Sequence, residues 1–138
     1  MATTVDVLVA PDGAPTRRNQ IDLAGTVNLP AGAMCFRNSN GWATDDANAG
    51  ANPFAGFSAD RYDNSAGANG ELSGEAWTSG RVKFRPTHSL TQADVDKPVY
   101  ATDNWSVQSA SASASYLGIL RQVFANGDIV VETAAAHS

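Results

Sequence analysis

The chain has 138 residues and a mass of 14.3 kDa, enough for one domain. Alanine supplies 24 of its hydrophobic residues, and Asn, Ser, Thr and Gly far outnumber the 3 Glu and 2 Lys, so helix formers other than Ala are scarce and turn formers plentiful. This composition excludes a helical bundle and a coiled coil, the single cysteine excludes an intrachain disulfide scaffold, and a net charge of −5 with a pI near 4.7 argues against nucleic acid as a partner.

Residues 1–20 read as an extended N-terminal arm. Val5, Val7 and Val9 alternate with Asp6 and Leu8, as in a strand, and Pro11-Asp12-Gly13-Ala14-Pro15 breaks it. Arg17 and Arg18 follow in a polar stretch. An arm of this kind is expected to pair with the sheet edge of a neighbouring subunit. Its start lacks the basic and apolar regions of a secretory signal, so synthesis in the cytoplasm is expected.

The body spans residues 21–133. Met34-Cys35-Phe36, the turn Asn38–Gly41 and Trp42-Ala43-Thr44 make a hairpin signal. A polar loop, Asp45–Asn52, precedes the compact apolar strand Phe54–Ser58. A second loop, Asp63–Gly74, contains the turn pair Asn69-Gly70. Ala76-Trp77-Thr78 and Arg81–Arg85 read as two strands about a Ser79-Gly80 turn. Alternation puts Val82 and Phe84 on one side, and Arg81, Lys83 and Arg85 on the other. Pro86 stops this strand. Ser89 and Gln92 fit a capping box that opens one short helical turn, running to about Val95. Val99-Tyr100-Ala101, the turn Asp103-Asn104 and Trp105-Ser106-Val107 form a second hairpin. The Ser/Ala run Gln108–Ser115 leads to the core strand Tyr116–Leu120, and Asn126-Gly127 turns into a closing strand, Asp128–Glu132. Residues 134–138 read as a flexible tail.

The body repeats itself. Phe36–Trp42 (FRNSNGW) resembles Val99–Trp105 (VYATDNW), and Phe54-Ala55-Gly56-Phe57 resembles Tyr116-Leu117-Gly118-Ile119, at offsets of 62 to 63 residues. The expected fold is therefore all-β, a compact sandwich or barrel built from two similar β-units, about 21–86 and 87–133, with at most one short helical turn.

No residue is assigned a catalytic, metal-binding or cofactor-binding role. Cys35 sits between Met34 and Phe36 and reads as a small buried residue; the two histidines, His88 and His137, give it no evident base. Asp94-Val95-Asp96 lacks the glycine and closing glutamate of a calcium loop. Asp60 and Asp63 beside Tyr62 offer the elements of a hydrolase, with nothing to set one as acid and the other as base. Asn104-Trp105-Ser106 fits a glycosylation sequon. No segment is long and apolar enough for a membrane-spanning helix, and no membrane partner is expected. Trp42 and Trp105 read as core residues. The interface candidates are Val5, Val7, Val9, Arg17, Arg18, Trp77, Arg81, Lys83 and Arg85, chosen as an arm, a contact anchor and a basic strand face.

The stretch Leu90–Asp103 (LTQADVDKPVYATD), followed by a polar run, Tyr116-Leu117-Gly118-Ile119 and Asn126-Gly127-Asp128, resembles a signature of small capsid decoration proteins of tailed phages, the cement proteins that stabilise heads. Where that family often carries Gly before Lys-Pro, this chain has Asp96. The resemblance implies an all-β, non-enzymatic protein of the virion exterior that stabilises contacts between major capsid proteins. Its partners would be the major capsid protein and copies of itself, as a homotrimer. Three Trp and three Tyr on a β-scaffold with long polar loops also suit a second class, a receptor- or glycan-binding module of a fibre, spike or tail.

Overall fold

The computed structural model describes Thr3, residues 9–11 and residues 17–133 of the chain; Val5 and Val7 lie outside the described residues, as does the C-terminal tail. The fold is all-β. Strands β1 (Val9–Pro11), β2 (Arg17–Asp22) and β3 (Asn28–Leu29) precede the first unit, made of β4 (Met34–Arg37), β5 (Ala43–Thr44), β6 (Phe54–Ser58) and β8 (Ser73–Phe84). The short β7 (Tyr62–Asp63) pairs with β3. The second unit is β9 (Pro98–Asp103), β10 (Ser106–Gln108), β11 (Ser115–Val123) and β12 (Ile129–Thr133).

The two units share one connectivity. In the first, neighbouring strands run β5-β4-β6-β8; in the second they run β10-β9-β11-β12. β12 then pairs antiparallel with β8, so the units join back to back in a single sheet. The duplication extends to the irregularities. Cys35 pairs with Gly56 and Phe36 with Phe54, leaving Ala55 bulged. Val99 pairs with Gly118 and Tyr100 with Tyr116, leaving Leu117 bulged. Each bulge falls one residue before a glycine, and a side chain there would collide with a carbonyl: Trp77 O, 2.7 Å from a Cβ placed on Gly56, and Glu132 O for Gly118. This register corrects the alignment read from sequence. Phe36 corresponds to Tyr100, 64 residues on, rather than to Val99.

The sheet folds over on itself, and the main core lies between its halves. β4 and β6 contribute Met34, Phe36, Phe54 and Phe57; the other side supplies Val82, Phe84, Val99, Leu117, Leu120, Ile129 and Val131. A file of edge-to-face rings, Phe36–Phe54–Phe57–Phe84–Trp105, crosses this core with centroids 4.9 to 6.2 Å apart. The opposite face of the first unit is also covered. Cys35, Ala55 and Ala76 pack there beneath Ile21, Leu23 and Leu29. Trp105 joins the main core at its margin, and half-buried Trp42 lies against Gly70.

Four further expectations change. Residues 73–84 are one continuous strand rather than a hairpin at Ser79-Gly80; Gly80 (φ 104°) bends it where it passes from β6 and β2 to β12 and β1. The described part of the arm pairs within the chain, β1 with 82–84 and β2 with 73–79 of β8, and β2 runs across the expected boundary at residue 20. Among the described residues two 3-10 turns occur where at most one was expected, at Asn48–Gly50 and Gln92–Asp94. Thr91 and Asp94 form the capping box of the second turn, two residues later than Ser89 and Gln92, because the Asp94 carboxylate accepts the Thr91 N–H at 2.9 Å.

Candidate functional site

Those of the expected interface residues that the structure describes fall in two places. On β2 and β8, the Arg18 guanidinium stacks over the Trp77 ring, 5.6 Å from its centroid, and pairs with Glu75 at 3.4 Å. Trp77 is directly opposite Arg18 and Phe57 in the ladder and is half-buried. Farther along β8 and just past its end the basic row stands as its alternation predicts, with Val82 and Phe84 turned into the core and Arg81, Lys83 and Arg85 outward. Its charges are already partnered. Arg81 faces Glu132 across the ladder at 3.4 Å, Arg85 pairs with Asp128 at 2.6 Å, and the Lys83 ammonium lies 4.5 Å from the Phe124 ring centroid. The Arg85 guanidinium holds the Asp128 carboxyl below its ordinary value, and Arg121 does the same for Glu132. For Val9 and Arg17 the structure places the main chain, on β1 and β2.

The sequence did not single out Tyr100 and Tyr116. They face each other across β9 and β11 at 5.8 Å between centroids, edge to face, and Tyr116 is 48% exposed, the one large hydrophobic side chain so exposed among the described residues. Pro98 and Ile119, also paired, continue this outward face, and Glu132 and Arg81 border it. The counterpart pair in the first unit is Phe36 and Phe54, 0% and 5% exposed in the core, with Phe57 in the place of Ile119. An offset of 64 residues in the first hairpin, instead of 63, would have found it.

An open groove of about 360 Å³ lies along the outer side of β10, between Thr87–Leu90 and Thr102–Ser109. It is lined by the apolar Leu90 and Val107 and by the hydroxyl-bearing Thr87, Ser89, Thr102, Ser106 and Ser109, with His88, Asp103 and Gln108. His88 is engaged at both ring nitrogens: Nδ1 accepts the Leu90 N–H at 3.0 Å, which leaves Nε2–H to donate to Gly127 O at 2.8 Å. Asp60, Tyr62 and Asp63 serve local structure. Tyr62 Oη accepts the Glu75 N–H, and Asp63 accepts the Ser65 N–H and is held below its ordinary value by the Ser65 hydrogen bonds. Cys35 is fully buried, its thiol pushed up to about 12 by burial. Among the described residues no group of three or more His, Cys, Asp or Glu side chains could hold a metal ion, and no helix is long and apolar enough to cross a membrane.

No family model, curated protein or solved structure matches the chain.

Proposed function

We propose that this chain is a non-enzymatic structural protein of a phage virion, a decoration protein that binds the outer surface of the capsid and stabilises contacts between major capsid proteins, working as a homotrimer. The observation that carries this reading is the open Tyr100–Tyr116 face, whose counterpart in the first unit is buried core. A β-unit that leaves open the face its twin covers fits a protein whose packing is completed by neighbours. The resemblance of Leu90–Asp103 to head-stabilising proteins supplies the kind of assembly, and those residues form the second 3-10 turn and β9, which leads directly into that face.

The test is add-back of purified protein to heads that lack it. Co-sedimentation in a fixed copy number per head, with a higher temperature for genome release, is the expected result; no co-sedimentation would refute the assignment. The hydroxyl-lined groove along β10 favours a second reading, a receptor- or glycan-binding module of a fibre, spike or tail. Immunogold label confined to the tail, together with binding on a glycan array, would establish that reading in place of the first.

A further inference from the structure

We infer that the outward face of β9 and β11, centred on Tyr100 and Tyr116, seats a second copy of this chain. The inference rests on the reading of the chain as an assembling protein and names the partner at one face. Three observations bear on it. The first is the internal repeat. The same positions in the first unit, Phe36, Phe54 and Phe57, are covered by a β-layer that this chain itself supplies, so the geometry of the face is one that a sheet of this sequence can pack upon.

The second is the chemistry of the change between units. Phe36 and Phe54 are replaced by Tyr100 and Tyr116, which keeps the ring pair, edge to face in both units, and adds hydroxyls. A ring that alternates between water and an interface needs a polar end, whereas a permanently buried one does not. The third is charge. The chain carries a net −5, so two copies repel on average. The border of this face is balanced: Arg81 and Arg121 stand against Glu132 and Asp96, with Arg121 bridging both acids at 3.1 and 2.9 Å. A locally neutral, aromatic face is where two equally acidic copies meet at least cost, whereas a partner of strongly opposite charge gains nothing from it.

Sedimentation equilibrium of the isolated full chain tests this in the absence of capsid. Self-association is expected over about 1–100 μM, with Tyr116→Arg and Tyr100→Ser each weakening it ~10-fold or more. Because a variant can lose its fold, near-UV circular dichroism is recorded for each, and wild-type protein is also nitrated with tetranitromethane. The Tyr116 peptide should nitrate at low protein concentration and be protected at high concentration, while half-buried Tyr62, remote from the face, reacts alike at both.

A wild-type chain that stays monomeric throughout overturns the inference. So does an oligomer that a folded Tyr116→Arg variant leaves intact, or Tyr116 nitration that ignores concentration. A folded Tyr116→Arg variant that still self-associates yet no longer sediments with heads would reassign the face to the capsid protein: it overturns this inference and leaves the proposed function standing. The reverse result, association through this face without any binding to heads, supports the inference and refutes the function.

Discussion

Replacing Gly118 with alanine should destabilise the protein through one atom. A Cβ there meets the main-chain carbonyl of Glu132, with the Thr133 Cα close behind at 3.0 Å, and neither belongs to a side chain that can swing away. β12 must move outward, yet it is held on its other edge by the ladder to β8 from Ile129 to Thr133. Overpacking of this kind costs about 1–3 kcal/mol. Gly56→Ala meets the equivalent Trp77 carbonyl at 2.7 Å and adds a φ of +146°, so its cost should reach about 2–5 kcal/mol. Gly41 is the control: its φ is +86°, but nothing lies within 4 Å of its Cβ position, and alanine there should cost only about 1 kcal/mol. Urea unfolding, with a slope of about 1–3 kcal/mol per molar, resolves these differences as midpoint shifts. A Gly118→Ala protein within ~0.5 kcal/mol of wild type would show that the bulge does not clamp the carbonyl, and the structural equivalence of the two units would lose its best support.

Asp96 supplies a second test. It adopts φ +68°, a conformation that favours glycine, and its carboxylate pairs with Arg121 at 2.9 Å. Asp96→Gly should stay within ~0.5 kcal/mol of wild type, since backbone relief offsets the lost pair, whereas Asp96→Val should cost about 1–2 kcal/mol by calorimetry. Stability should also fall in acid. Asp128 and Glu132 are held below their ordinary values of 3.8 and 4.5 by Arg85 and Arg121, so their contribution is complete above those values and is lost as the pH drops through the lower folded-state values. An Arg85→Gln, Arg121→Gln double variant should therefore differ from wild type at neutral pH and converge with it in strong acid; an unchanged gap across a pH series of urea melts would contradict the sign.

Much of the fold was legible because alternation and turn residues are local signals. Arg81-Val82-Lys83-Phe84-Arg85 could bury only Val82 and Phe84 without burying charge, and Asn126-Gly127 could close a hairpin through the positive φ of Gly127. What misled was information that lives in pairing. Ser79-Gly80 has the composition of a turn, but each flank of β8 has its own pair of partner strands, and those ladders keep the chain running straight on with a bend. The repeat was aligned on Trp42 and Trp105, yet equivalence follows the bulge glycines, and in that register Trp42 matches Ser106. That error of one residue also hid the Tyr face, because a slip of one in a strand exchanges the inner and outer sides.

β8 has a consequence for how the molecule comes apart. It is paired on at least one edge from end to end and on both edges at 76–77, by β2 and β6, and at 82–84, by β1 and β12. Neither half of the duplicated body can therefore melt and leave the other with an intact boundary. The two similar units are thereby joined into one cooperative element, and the slowest-exchanging amides of the native protein should cluster on β8, at the free energy of global unfolding rather than of any local opening.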